Sequence, residues 1–290
     1  MILLLFMLSQ DINFEDLYGI ATTSLVQFQA EQESAFALLV ELGKDSLDAD
    51  TTIAFFVSKF DTKGARERHR LKDIFKKIGE SAIDGIVSNL AYRGSDEESR
   101  SLKQSVWVLG EIGTDKIVEP VSQFINDEEW QIRSGAFTAL GKAKSRKALL
   151  FIVQGLNDSI QVVRKSAYYA LSQIATIEEL DYLIEGLDDS YYAVRYAAVQ
   201  GLVNIGQVAS KPLIGLIGKN TLKDYYILKI LCQLDMTEEQ LFSFVEQVGP
   251  ETRLLVYEIW QDKKSLTRFL EIENNVFLLN FLLEKTTEAP

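Results

Sequence analysis

A period of 31 residues dominates the middle of the chain. Aspartates, arginines and leucines each recur at this spacing, as Asp127, Asp158 and Asp189, as Arg133, Arg164 and Arg195, and as Leu109, Leu140, Leu171 and Leu202. A fixed period between about 20 and 50 residues is typical of solenoids, in which copies of one supersecondary unit stack and share a core. The repeat therefore predicts the architecture before any single residue suggests a role.

Apolar residues within each repeat follow the spacing of amphipathic helices. In one copy they fall on a single helical face, at Val163, Ala167, Ala170, Leu171 and Ile174. A second apolar segment follows at Leu180, Leu183 and Leu187. Between the two, Thr176 with Glu179 matches a capping box, and Ser145 and Thr114 are candidate N-caps in neighbouring copies. Each repeat is thus predicted to be a helix–turn–helix hairpin, whose small residues let adjacent helices approach closely.

The register of the repeat extends over about five hairpins, at residues 65–219. The flanking residues 1–64 and 220–290 are off-pattern but helical, and we expect them to cap the stack, because a solenoid must cover the apolar face of its terminal repeats. Only four prolines interrupt the chain, which suits helices. The prediction is a single all-α domain over 1–290, an alpha-alpha superhelix.

At this point the chain resembles a known class of repeat. The segment of residues 158–167, Asp-Ser-Ile-Gln-Val-Val-Arg-Lys-Ser-Ala, and its two neighbours are similar to the short HEAT-type repeats named after phycobilisome lyases. The resemblance covers residues 65–219 and implies an armadillo-like helical solenoid. It implies no single activity, because such repeats occur in lyases, hydroxylases, DNA-repair proteins and adaptors, and a fold alone does not carry a function.

Net charge constrains the partner. The chain carries −12 at pH 7, so it repels phosphate backbones and nucleic acid is not expected as a partner. One segment runs against this balance: residues 63–77 hold seven Lys and Arg and two acids, whereas residues 1–60 hold nine acids and two bases. We expect the basic segment to be a solvated helix face partly neutralised by the acidic N-terminal region. The alternative is a contact for an anion or an acidic partner.

Enzyme chemistry finds little support in the sequence. His69 is the only histidine and Cys232 the only cysteine, which excludes a di-iron hydroxylase centre, a cysteine-based zinc site and a convincing catalytic triad. There is no glycine-rich phosphate loop. We expect no cofactor and no catalytic or metal site. A chromophore-handling role of the phycobilin-lyase type stays open as an alternative, with Glu185 and Tyr182 available to line a groove.

Outward positions on the first helices carry five aromatic side chains, namely Trp130, Phe137, Tyr168, Tyr192 and Tyr196. A contiguous exposed apolar patch marks a partner surface. The competing interpretation is that these rings pack sideways against adjacent first helices.

The second helices are expected to line the concave face of the solenoid. Their outward residues include Glu119, Gln123, Gln154, Glu178, Asp181 and Glu185, so the row becomes acidic along the chain. Such grooves bind extended peptides, and the acidic end favours a partner with a basic segment. Ordinary solvated surface is the alternative. The function expected is that of a non-catalytic protein-binding scaffold or adaptor, acting through the groove, the aromatic patch or both, with the oligomeric state left open.

An apolar run at residues 2–8 is too short to span a bilayer, so no integral membrane span is expected. It resembles the apolar centre of a secretory signal without the basic start. An exported structural component of an envelope assembly therefore stays open as another alternative. If the run is instead a first helix, a cytoplasmic location is favoured.

Overall fold

The structure, a computed structural model, describes residues 14–23, 29–45, 49–95, 97–218, 221–234, 237–260 and 263–287. Throughout these ranges the regular structure is helical, with no strand, which confirms the all-α prediction. The apolar run at residues 2–8 lies outside them. The chain divides into two compact units, unit 1 (Met1–Ile174) and unit 2 (Ala175–Pro290). The division into two caps and five repeats stays a prediction.

Unit 1 is built from long first helices and short second helices. Its described helices are α1 Phe14–Thr22, α2 Gln29–Asp45, α3 Ala49–Ser58, α4 Ala65–Ile78, α5 Ile83–Val87, α6 Arg100–Ile112, α7 Val118–Ser122, α8 Trp130–Ala143, α9 Leu149–Gln154 and α10 Gln161–Ile174. A short 3-10 turn joins α6 to α7 and another joins α8 to α9, so each pair forms the expected hairpin.

Unit 2 continues the alternation and then departs from it. Its described helices are α11 Leu180–Gly186, α12 Tyr192–Ile205, α13 Ser210–Ile214, α14 Thr221–Gln233, α15 Glu238–Gln247, α16 Pro250–Ile259, α17 Lys263–Ile272 and α18 Val276–Thr287. The last helices enclose a core of their own, which includes Phe244, Tyr257 and Phe269. None of the helices described in either unit is long and apolar enough to cross a bilayer.

The helical faces match the apolar spacing. All five residues of the quoted face on α10, from Val163 to Ile174, are buried. Thr176 and Glu179 form the expected capping box, and the Ser145 hydroxyl accepts a hydrogen bond from the Lys147 backbone N–H. The Thr114 expectation is wrong: its side chain caps no N–H group.

Small residues bring the first helices of unit 1 into direct contact. A Cβ atom placed on Gly110 would lie 2.9 Å from the Cα of Ala139, and one on Gly141 would lie 2.7 Å from the Cα of Ala170. A real Cβ cannot approach a backbone atom so closely, so these two glycines set the spacing of α6, α8 and α10. The predicted close approach is confirmed.

The repeating aspartates and arginines form a ladder in the loops before the first helices. Asp127, Asp158 and Asp189 each accept a hydrogen bond from the backbone N–H two residues further on, at 2.9, 2.8 and 2.7 Å. In unit 1, Arg133 holds the backbone carbonyls of Asp127 and Glu128, at 2.8 and 3.1 Å. The ladder therefore satisfies loop polar groups at each joint, which is a structural role.

Candidate protein-binding surfaces

The structure buries two of the five aromatic residues expected on the surface. Phe137 is 1% exposed and Tyr168 is 4% exposed, so the expectation that they face solvent is wrong. The equivalent residue one repeat further, Val199, is also buried. Trp130, Tyr192 and Tyr196 are exposed, at 39%, 61% and 54%. The five residues thus do not form one aromatic patch.

Phe137 is buried against its own repeat. Its ring lies against Gly155, just after the second helix α9, where an added Cβ would be 2.2 Å from the ring Cζ. A first helix in a stack touches its own second helix and also its neighbouring first helices. Its buried arc is therefore wider than that of a helix packed against one core.

The first helices of unit 1 make direct contacts along the stack. Helix α8 packs against both α6 and α10, whereas the second helices α7 and α9, which have only five and six residues, have little mutual contact. That the second helices line the concave face stays a prediction.

Unit 2 presents a tyrosine cluster, which we define as Tyr192, Tyr196, Tyr225 and the neighbouring Lys229. Tyr192 and Tyr196 lie one turn apart at the start of α12, with ring centroids 6.4 Å apart and planes inclined by 29°. From α14, the Lys229 ammonium lies 4.6 Å from the centroid of the Tyr225 ring. A side-chain hydrogen bond with Tyr225 raises the pKa of Lys229 and outweighs the opposing effect of desolvation, so the lysine stays charged.

Arg195, also on α12, contacts the tyrosine cluster and is itself held by hydrogen bonds. Its Nε donates a hydrogen bond to the hydroxyl of the buried Tyr226 at 3.0 Å, and its guanidinium carbon lies 5.8 Å from the centroid of the Tyr192 ring. Its Nη1 also donates to the backbone carbonyl of Asp189 at 2.6 Å. The Arg195 side chain that contacts Tyr192 is therefore held by hydrogen bonds, so this part of the surface is ordered before a partner binds.

The acidic row of unit 2 lies on the neighbouring helix. Glu178, Asp181 and Glu185 are all exposed, the first in the 3-10 turn before α11 and the others on α11 itself, which packs against α12. Tyr182, also on α11, is 41% exposed. Acidic carboxylates and aromatic rings therefore occupy adjacent helices of one compact unit.

Unit 1 carries the remaining residues of the expected groove. Glu119, Gln123 and Gln154 are exposed at the second helices α7 and α9, and Leu150 beside them is 79% exposed. An ion pair of 2.7 Å joins Lys147 to Asp115 in the preceding repeat. This row is mixed in charge, as the sequence predicted.

Most of the basic segment of residues 63–77 lies in α4, and polar residues of α2, one of them acidic, contact one side of it. Arg70 pairs with Glu33 of α2 at 2.7 Å, and Arg66 donates to the Gln32 side chain at 3.2 Å. On the other side, His69 and Lys72 lie against Trp107 of α6. The neutralisation expected from the acidic N-terminal region thus accounts for only part of the segment.

Sequence reasoning missed three side chains of these surfaces. Trp107 lies one period before Thr138, a position the helical spacing did not single out. Tyr225 and Lys229 lie beyond the last clear repeat, in a region without a repeat register. No pattern in the sequence joins them to Tyr192; only the packing of α14 near α12 does so.

Comparison with known proteins identifies the repeat. A family model described as HEAT repeats matches residues 89–171 and 118–203. These residues of the chain are therefore HEAT repeats, as their resemblance implied. Curated protein sequences give no match.

Solved structures show the same fold at low sequence identity. The chain is similar to Kap95p in a structure with RanGDP (TM-score 0.54, 13% identity, covering 94% of this chain and 45% of that one). It is similar to Kap121p bound to Nup53p (TM-score 0.52, 14% identity, 92% and 35%). A third similarity is to the CpcE–CpcF complex of phycocyanin lyase from Nostoc sp. PCC7120 (TM-score 0.42, 16% identity, 86% and 96%). Identities this low show the helical-repeat fold alone.

Proposed function

We propose that this chain is a non-catalytic protein-binding scaffold whose unit 2 engages a partner protein through the tyrosine cluster. The observation that carries the proposal is the pair Tyr192 and Tyr196, whose rings are 61% and 54% exposed and stacked on one face of α12. Tyrosine is enriched among the residues that dominate binding energy, because it buries a large rigid ring and keeps a polar tip.

The acidic row favours a partner that presents basic side chains. Glu178, Asp181 and Glu185 lie on the helix that packs against α12. A partner segment with lysine or arginine side chains would gain attraction from these carboxylates, mostly as a faster association rate. Arginine side chains would also stack on the tyrosine rings.

Two structures of similar fold point the same way. Kap121p is bound to Nup53p, and Kap95p to RanGDP, so helical-repeat chains of this kind hold other proteins. The analogy supports protein binding as a class and leaves the partner of this chain to experiment.

The test is affinity capture from the native lysate, with bound proteins quantified by mass spectrometry. Wild type is compared with Tyr192→Ala/Tyr196→Ala and with the control Tyr92→Ala, which removes an exposed tyrosine from unit 1. We expect the double variant to lose a specific partner by at least about tenfold, since hot-spot tyrosines each contribute about 2 kcal/mol or more. Tyr92→Ala should retain it.

A charge-reversal variant separates the two parts of the surface. Glu178→Lys/Asp181→Lys/Glu185→Lys should weaken capture at low salt and less so at high salt, whereas Glu119→Lys on a second helix of unit 1 should leave it unchanged. Thermal melts followed by circular dichroism establish that all variants fold. Capture that survives both sets of substitutions would contradict the proposal.

A further inference from the structure

Trp107 of α6 is in contact with two side chains of the basic segment. The His69 and Trp107 rings meet edge to face, with centroids 5.1 Å apart. The Lys72 ammonium lies 5.0 Å from the Trp107 centroid. A tryptophan bordered by cationic and polar groups is an aromatic platform of fixed orientation.

Two clefts adjoin at this platform. The cleft toward α8 has a volume of about 270 Å³, and the cleft toward α4 has a volume of about 380 Å³. Both are lined by Trp107 and Gln131, so together they form one groove across α6 and α8, the Trp107 groove. Its wall includes Gly135, which is partly exposed and adds no side chain to the groove.

The groove is basic in an acidic chain. Its lining contains four basic side chains, Arg68, Arg100, Lys103 and Lys142, and one acidic side chain, Glu98, a formal charge of +3. Three of these cations are ion-paired, Arg100 with Glu98, Lys103 with Glu129 and Lys142 with Glu111, so the lining together with the two rim acids Glu129 and Glu111 carries a formal charge of +1. The guanidinium of Arg68 donates to the backbone carbonyls of Thr62 and Lys63, at 3.2 and 2.8 Å, which do not neutralise its charge.

We propose that the Trp107 groove binds an acidic peptide segment of a partner, with an aromatic side chain of that segment packed on Trp107. Carboxylates complement the basic lining, and an aromatic ring matches the platform. The absence of a side chain at Gly135 leaves room in the groove wall for the peptide. A polynucleotide is disfavoured because the chain as a whole carries −12. The proposal is independent of the tyrosine cluster, because all of these residues lie in unit 1.

Gly135 makes the location testable. A Cβ on Gly135 would meet only a methyl group of Val106, at 3.6 Å, which is an ordinary contact. By contrast, a Cβ on Gly110 would strike the backbone of α8. Gly135 is therefore dispensable for helix packing, and a larger side chain there would fill the groove.

The experiment uses Trp107 as its own reporter. The full chain with Trp130→Phe/Trp260→Phe retains one tryptophan, and its emission is titrated with the peptide Asp-Glu-Asp-Phe-Glu-Asp. We expect a saturable change in emission that weakens with salt. The same peptide with alanine for phenylalanine should bind at least about fivefold more weakly. A lysine-for-acid peptide and a thymidine oligonucleotide should not bind.

Two pairs of variants in that background locate the site. Gln131→Glu should weaken binding and Gln131→Lys strengthen it, each by about three- to tenfold, because this exposed side chain lines both clefts. Gly135→Leu should weaken binding by at least about tenfold, whereas Gly19→Leu, at a helical glycine with open space around it, should not.

Four outcomes would refute the proposal. They are no response to the peptide, equal binding of the lysine peptide, tighter binding of the oligonucleotide, and an affinity that does not respond to the charge at residue 131. If circular dichroism shows that Gly135→Leu is unfolded, the Gln131 pair decides alone, because a surface substitution there leaves the packing intact.

Discussion

The guanidinium of Arg133 and the carboxylate of Asp158 form a two-point ion pair that joins one repeat to the next. Nε lies 2.8 Å from Oδ2 and Nη2 lies 3.1 Å from Oδ1, and both side chains are largely buried, at 15% and 13% exposed. Burial alone would raise the pKa of Asp158, but the hydrogen bonds from Arg133 and from the Ile160 N–H outweigh it and lower the pKa. The pair is therefore expected to contribute to stability.

Removing one partner tests this. We expect Arg133→Ala to lower the free energy of unfolding by about 2 to 3 kcal/mol, because it removes charge-assisted hydrogen bonds and leaves Asp158 unpaired. Urea unfolding followed by circular dichroism measures the change. Lys147→Ala breaks the exposed pair with Asp115 and should leave stability unchanged. Equal losses of stability in the two variants would show that the Arg133–Asp158 ion pair contributes no more than the exposed pair.

The pKa of Glu129, in the loop before α8, predicts that stability is sensitive to acid at this loop. Burial opposes its ionisation, but hydrogen bonds from Ser99, Arg93 and Lys103 lower its pKa from 4.5 to about 2. A depressed carboxyl pKa contributes stability above the unfolded value, and that contribution is lost as the pH falls through the folded value. We therefore expect wild type to exceed Glu129→Gln in stability at pH 7. The difference should shrink between about pH 4.5 and 2, as measured by urea unfolding at each pH; a constant difference would refute the assignment.

Gly155 and Gly135 make a matched pair of glycine-to-alanine substitutions. The added methyl group at Gly155 would meet the buried Phe137 ring at 2.2 Å, so Gly155→Ala should cost about 1 to 3 kcal/mol by overpacking. Gly135→Ala has room, and we expect it to stabilise α8 by about 0.5 to 1 kcal/mol through helix propensity. Melting temperatures shifted in opposite directions would confirm the contrast. Shifts of the same sign would contradict it.

The core of unit 2 contains a buried ionic network around Glu273. Its side chain is 1% exposed, accepts a hydrogen bond from Tyr257 at 2.7 Å and pairs with Arg253, whose Nε lies 3.0 Å from Oε2. Arg253→Met would leave a buried carboxylate without its counter-ion, and we expect a loss of about 3 to 5 kcal/mol. Glu273→Gln in the Arg253→Met background should restore part of this stability, since it removes the uncompensated charge. Calorimetry measures both; an additive loss would argue against the pairing.

Much of the fold follows from periodicity. The spacing of Val163, Ala167 and Ala170 predicted a buried helical face, and all three are fully buried. The recurrence of small residues on the buried face predicted close helices, and α6, α8 and α10 do approach closely where Gly110 meets Ala139 and Gly141 meets Ala170. These features are local or repeat in register, so one sequence suffices to read them.

The candidate sites were less predictable, because they depend on contacts between elements. A single-helix wheel places Phe137 and Tyr168 on the outside, since it omits the neighbouring helices that cover them. The Trp107 groove needs α4 beside α6, and the tyrosine cluster needs α14 beside α12. Residues far apart in sequence meet at both places without any shared period, so spacing could not bring them together.

The ion pair between Arg133 and Asp158 bears on how the number of repeats in such a chain can change. Arg93 grips Asp127 in the same two-point manner, at 2.9 and 3.0 Å, one joint earlier. Excision of residues 127–157 in phase would bring Asp158 to the place of Asp127, opposite Arg93. Loss of this repeat would therefore keep an arginine opposite an aspartate at the seam, whereas Glu111 and Asp115 would lose Lys142 and Lys147, so the two-point pair is the part of the joint that a change in repeat number preserves.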